Sequence, residues 1–180
     1  MKTKPLQQWS FTIAQTQWNK RINMDNHSFT NLASFGKRIE HFLIGQMLKE
    51  GLDVYLPVVD DKGIDAVVRR PDGSFVEIQI KARSKAVKEG DAALFAAIEH
   101  EYRPNYWFVF YSERIGESGT MWIMSSKEFI EESIQNKNGK NVGKRSIWFN
   151  GKRKGVEYAK PRFEKYIRTN FQRIITENAE

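Results

Sequence analysis

The chain has 180 residues, enough for one domain with a sizeable core, and 40% of them are apolar, an ordinary share for a soluble protein. It has no cysteine, and its histidines, His27, His41 and His100, lack the close spacing of a helical zinc motif, so disulfides and thiolate zinc sites are excluded and any metal is an oxygen-ligated one. The formal charge of +7 is uneven: from Lys137 to Arg173 twelve Lys or Arg stand against Glu157 and Glu164, a local +10 that leaves −3 for the remainder. That asymmetry suggests a polyanionic partner, because cations that neutralise phosphates release counterions; a solvated surface is the plain alternative. No run approaches the roughly 18 apolar residues of a membrane span, and the start, MKTKPLQQWSF, lacks a signal-peptide core, so an intracellular, cytoplasmic protein without membrane contact is expected.

In chain order, residues 1–30 carry Trp9, Phe11, Ile13, Trp18 and Ile22 without a clean period, which reads as an N-terminal arm, partly helical, before a single α/β domain over 31–180. From Phe35 to Glu50 the apolar residues Ile39, Phe42, Leu43 and Met47 recur at spacings of three and four and predict a helix ended by Gly51. DVYLPVV, IDAVVRR and SFVEIQIKA read as strands, with turns at DDKG and at Pro71, Asp72 and Gly73. The alanine-rich DAALFAAIEHE predicts a helix, with Glu99, His100 and Glu101 as helix residues. YWFVFYS and TMWIMS are aromatic and β-branched enough for buried strands, which places Trp107 and Trp122 in the core; Trp148, in the strand SIWF, is read the same way. Ser125 and Glu128 form a capping box that opens the helix KEFIEESI. NKNGKNVGKR is a loop, VEY a further strand, and PRFEKYIRTNFQRIITEN a last helix with Phe163, Ile167, Phe171, Ile174 and Ile175 as its stripe and Pro161 in its first turn. The order predicts an α/β fold with a central mixed β-sheet flanked by α-helices.

The hairpin Ile64–Ala82 can be read further. Arg70-Pro-Asp-Gly-Ser74 fits a three-residue loop with proline at the second position of a type I turn and Gly73 left-handed. Arg70 then pairs with Ser74, Val67 with Glu77 and Asp65 with Gln79, while Ile64, Ala66 and Val68 share the other face with Val76, Ile78 and Ile80. One face is apolar. The other presents Asp65, Glu77, Gln79 and Lys81. A carboxylate, a second oxygen donor and a lysine on one face suit metal-assisted phosphodiester cleavage, since Mg²⁺ takes one or two carboxylates plus waters and phosphate oxygens. Glu40, in the first turn of the preceding helix at the edge of its buried stripe, would add an acid.

The helical glutamate of Gly36-x-x-x-Glu40, the GID of Gly63 to Asp65 and the Q-x-K of Gln79 to Lys81 resemble the core of the PD-(D/E)XK, restriction-endonuclease-like nuclease superfamily, over Gly36 to about Ser112. The resemblance implies a restriction-endonuclease-like core with Glu40, Asp65, Gln79 and Lys81 as catalytic residues, and Asp65, Gln79 and Glu40 as ligands of Mg²⁺, with Mn²⁺ as a substitute. Two departures stand out. Ile64 replaces the usual proline, and Gln79 replaces the usual carboxylate, so Glu77 is a compensating acid to consider. The expected function is a metal-dependent endonuclease that hydrolyses DNA, with double-stranded DNA as partner and a homodimer suited to cutting two strands. Arg83, Lys85, Lys88, Lys144, Arg145, Lys152, Arg153 and Lys154 are candidate nucleic-acid contacts. The alternative is a catalytically inactive nuclease-like domain that binds nucleic acid or a protein partner.

Overall fold

Phe35, Ile39, Leu43 and Met47 repeat every four residues and are buried to 2% exposure or less, each contributing roughly 1.5–3 kcal/mol by leaving water. They form the inner stripe of helix α1, Leu32–Lys49, which Gly51 closes with a positive φ of 84° in the left-handed conformation that glycine adopts without a Cβ penalty. The structure, a computed structural model, describes residues 32–59, 62–88, 90–116, 118–153 and 156–177, with the side chains of 32–33, 152–153 and 156–157 left aside. The expected N-terminal arm over 1–30 and Lys154 lie outside the described residues.

The helix packs on a five-stranded sheet of β1 (Asp53–Tyr55), β2 (Ala66–Arg69), β3 (Phe75–Arg83), β5 (Tyr106–Ser112) and β6 (Thr120–Ser125), in the order β1-β2-β3-β5-β6. β3 and β5 run parallel and the other pairs antiparallel, so the central sheet is mixed and flanked by helices, as the sequence predicts. The hairpin register also follows the sequence: Val67 faces Glu77, Arg69 faces Phe75, and the Arg70 amide donates to Ser74 O at 2.8 Å while Gly73 donates to Arg70 O. Ala66, Val68, Val76 and Ile78 are fully buried. Ile64 departs from them, since it is half-buried and packs against the aromatic cluster of Tyr106, Phe108 and Phe110.

The crossover between the parallel strands corrects one expectation. Residues 91–101 are not helical: Leu94–Ile98 is strand β4, and Leu94 pairs with Trp148 and Phe95 with Ile147 of β8 (Arg145–Trp148). Alanine favours helix by only tenths of a kcal/mol per residue over most alternatives, and β8 offers a ladder and a site for Phe95 (4% exposed) and Ile98 (7%) in the aromatic core. A bulge at Ala97, φ 59°, reconciles the register. β4, β8 and β7 (Ile134–Gln135) form a three-stranded sheet, and NKNGKNVGKR is the loop of its β7–β8 hairpin, closed by the Asn136 amide on Lys144 O. A further strand, β9 (Asn150–Arg153), pairs with β10 (Val156–Ala159).

Helix α2, Ser126–Glu132, opens on the predicted capping box: Glu128 N donates to Ser125 Oγ at 3.3 Å and Ser125 N to Glu128 Oε2 at 2.8 Å. The last helix is corrected. A 3-10 helix covers Pro161–Tyr166 and a short α3 covers Gln172–Thr176, because Ile167 bridges to Trp122 and Arg168 N bonds Met121 O. The chain joins the edge of β6 at that point, which a continuous helix cannot do. Phe163, Tyr166, Phe171 and Ile174 are therefore the buried residues, and Ile167 is 37% exposed. Among the described residues no helix is long and apolar enough to cross a membrane.

Candidate active site

Side chains alternate along a strand, so Glu77, Gln79, Lys81 and Arg83 of β3 share one face, and the parallel register sets the first three beside Tyr106, Phe108 and Phe110. This polar row therefore runs into the most aromatic part of the core, where each group needs a partner or water. At one end Glu77 pairs with Arg103. At the other Arg83 Nε donates to Leu94 O at 2.6 Å, its guanidinium 5.9 Å from the Phe95 ring. Between these ends the Gln79 and Lys81 side chains make no hydrogen bond or ion pair among the described residues, and both line an open cleft of about 640 Å³. The cleft is also walled by Lys62, Gly63, Arg83, Phe95 and Glu99. Gln79 is 8% exposed, an amide held in the protein and turned to the cleft.

Asp65 reaches the same strand by another route. The regular ladder ends at Ala66 and Ile78, and Asp65 N donates to Ile78 O at 2.8 Å. Its Oδ2 then accepts from Ile80 N at 2.6 Å, so the carboxylate takes the acceptor place of a strand carbonyl. Asp65 thus lies against the peptide between Gln79 and Lys81 and does not line the cleft. Glu40 is 8% exposed on α1, and Lys37 Nζ donates to its Oε1 at 2.5 Å; it is likewise absent from the cleft lining. Glu77, the compensating acid suggested by the sequence, is engaged by Arg103. Among the described residues no three or more His, Asp or Glu side chains cluster as a metal site. With Glu77 paired to Arg103 and Glu99 to Lys144, the oxygen donors left for a hard cation here are the Gln79 amide in the cleft and the Asp65 carboxylate held on Ile80 N, and a cation held by so few protein ligands keeps several of its own waters.

Several positioning residues escaped the sequence reading. Tyr106 Oη donates to Gly63 O at 2.7 Å and Arg103 Nη1 to Lys62 O at 3.3 Å, with the Arg103 guanidinium 4.4 Å from the Tyr106 ring. Together they fasten the loop before Asp65 to β5. Gly63, φ 69°, is required twice over: a Cβ there would collide with Gln79 Nε2. The only hints in the sequence were the glycine of GID and the Pro104-Asn105 turn ahead of β5.

The candidate nucleic-acid contacts divide. Lys85 and Lys88 are exposed. Lys144 lies 3.6 Å from Glu99, beside the cleft. Arg145 is spent on structure, its Nη1 donating to Ile130 O and Ser133 Oγ at the end of α2, where a cation complements the helix dipole. Lys152 and Arg153 stand in β9. His100 follows β4 rather than lying in a helix, with Nε2 2.8 Å from Ser126 Oγ; burial foremost, then Arg103 and Arg145, lowers its pKa to about 4. Trp107 and Trp122 are buried as expected, but Trp148 is 40% exposed, because its position on β8 turns it away from the aromatic cluster.

No family model and no curated protein matches the sequence. Among solved structures the chain is similar to a bacterial homing endonuclease, I-Ssp6803I, with a TM-score of 0.49 and 22% identity over 73% of this chain and 85% of that one.

Proposed function

We propose that the protein is a metal-dependent endonuclease that hydrolyses DNA phosphodiester bonds, a PD-(D/E)XK variant with glutamine at the second acidic position. The observation that carries the reading is the grouping on β3: the side chains of Gln79 and Lys81, without partners among the described residues, face one cleft, and Asp65 bonds the amide of the residue between them. Their polar atoms open onto the cleft, where water meets them until a ligand displaces it. Asp65 and Gln79 would hold Mg²⁺ or Mn²⁺, with Glu40 supporting them through water. When bound, the cation supplies a Lewis acid that lowers the pKa of a coordinated water. Lys81 places an ammonium where it orients the attacking water and offsets charge growing on the phosphorus oxygens as the P–O bond breaks. Arg83, fixed by Leu94 O, and Lys144, near Glu99, flank the cleft as backbone contacts, and the basic stretch from Lys137 to Arg173 supports DNA as the polyanion.

The test is cleavage of plasmid and linear duplex DNA with Mg²⁺ or Mn²⁺ by wild type, Asp65→Ala and Lys81→Ala. Wild-type cutting abolished in both variants supports the proposal, and equal cutting by all three removes it. A second reading, an inert nucleic-acid-binding module, draws on the neutral amide of Gln79 and on the lack, among the described residues, of three clustered His, Asp or Glu side chains. Calorimetry separates the two: salt-sensitive DNA binding without millimolar Mg²⁺ or Mn²⁺ binding selects the inert module.

A further inference from the structure

Trp148 is exposed at 40% yet held in place. Its Nε1 donates to Gly90 O at 2.6 Å and to Asn150 Oδ1 at 2.7 Å, and Asn150, fully buried, accepts the Ala93 amide through the same oxygen. The polar atom of the indole is thereby satisfied inside the protein, and its apolar surface faces water in a fixed orientation. Lys160 lies 4.7 Å from the ring centroid and donates to Trp148 O at 2.8 Å, while its own amide donates to Phe149 O. A second aromatic, Tyr158, is 46% exposed and lies across Gly151, where a Cβ would meet its ring atoms at 2.7 Å.

The surroundings select the partner. From Lys137 to Lys160 the sequence carries eight Lys or Arg and one acid, Glu157. Trp148 also pairs with Leu94 of β4, whose carbonyl takes Arg83 from the cleft wall, so the strand that carries the indole is a direct neighbour of the strand that walls the cleft. A rigid exposed indole with an ammonium beside it takes an unstacked base by π-contact and the adjoining phosphate by charge. We infer that Trp148 and Lys160, with Tyr158 two residues before Lys160, form a stacking platform for a single-stranded or locally unpaired stretch of nucleic acid on the strand next to the cleft. This rests on the reading of the protein as a DNA endonuclease.

The test reads binding without divalent cations, so that cleavage plays no part. Fluorescence anisotropy of a labelled thymidine strand of about 20 nucleotides, and of a duplex of equal length, is measured with the full chain as wild type, Trp148→Ala, Trp148→Phe, Tyr158→Ala and Lys160→Gln. The expected result is loss of about tenfold or more in strand affinity for Trp148→Ala, a smaller loss on duplex, and near-wild-type binding by Trp148→Phe. Lys160→Gln lowers the salt slope by about one contact. Should Trp148→Ala fail to fold, Tyr158→Ala and Lys160→Gln, which leave the Gly90 and Asn150 bonds intact, decide the matter by weakening strand binding. Unchanged strand affinity in every folded variant overturns the platform. A wild type that cuts duplex yet ignores the thymidine strand overturns it too and leaves the nuclease standing, whereas Trp148-dependent strand binding by a protein that cuts nothing supports the platform and removes the nuclease.

Discussion

Asp65 accepts a 2.6 Å hydrogen bond from the backbone amide of Ile80, the residue between Gln79 and Lys81. The bond gives Asp65 a structural duty beside the chemical one proposed for it, and the two are separable by substitution. Asparagine keeps an acceptor for the Ile80 amide but removes the charge. Asp65→Asn is therefore expected to unfold within a few degrees of wild type while losing Mg²⁺-dependent plasmid cleavage by about a hundredfold or more, and Asp65→Ala to lose about 1–3 kcal/mol of stability as well, because the amide is left unpaired. Thermal melts beside cleavage rates check both. An Asp65→Asn variant that cuts like wild type would reduce Asp65 to a strand-end acceptor.

In the proposed site, Gln79 would set the strength of metal binding. An amide oxygen ligates a hard cation without contributing charge, so replacing it with a carboxylate adds an attractive partner beside Asp65. Gln79→Glu is expected to tighten Mn²⁺ binding about tenfold or more by calorimetry and to raise cleavage at limiting Mg²⁺, and Gln79→Ala to weaken both. The same amide has no hydrogen-bond partner among the described residues, so neither change disturbs an internal bond. If Gln79→Glu leaves Mn²⁺ affinity unaltered, position 79 is not a ligand.

Gly63 is the residue that lets Gln79 lie where it does. Gly63→Ala meets two obstacles, a φ of 69° that costs an L-residue about 1–2 kcal/mol and a Cβ that would displace the Gln79 amide. Gly51 makes a fair control, because its φ of 84° imposes similar strain while nothing stands within 4 Å of a Cβ there. Both alanine variants are expected to lose comparable stability, and Gly63→Ala alone to lose about tenfold or more in cleavage rate, since small misplacements of reacting groups are costly. Equal cleavage by the two variants would mean that the Gln79 position does not matter.

The sequence made the hairpin legible because register there is local: the turn Arg70 to Ser74 fixes which residues face one another, and alternation does the rest. The same locality explains the capping box at Ser125 and the inner stripe of α1. What it could not convey depends on partners far along the chain. The segment Leu94–Ile98 is composed like a helix, and only Ile147 and Trp148, some fifty residues on, draw it into a sheet. Ile167 leaves the helical pattern because Trp122 is there to bridge. Alternation puts Asp65 on the polar face, but its side chain closes on Ile80 N, a choice that alternation does not encode. Arg103 and Tyr106 act on the carbonyls of Lys62 and Gly63, and a backbone acceptor leaves no trace in the identity of the residue that carries it.

His100 offers a test of the fold that is independent of catalysis. Its ring packs 4.9 Å from Tyr106, 4.7 Å from Phe108 and 5.7 Å from Phe129, and burial, assisted by the Arg103 and Arg145 charges, lowers its pKa to about 4. An unfolded chain protonates this histidine near pH 6.5. Between those values the unfolded state binds the extra proton, so stability falls as pH drops from about 6.5 to about 4 and is unaffected by this group above that window. At pH 5 the loss is about 2 kcal/mol relative to neutral pH. Urea titrations of wild type and His100→Asn at pH 7.5 and pH 5 are expected to show the wild type losing that much more than the variant, whose side chain stays neutral throughout. An identical pH dependence in both proteins would place the His100 ring in water rather than in the aromatic core.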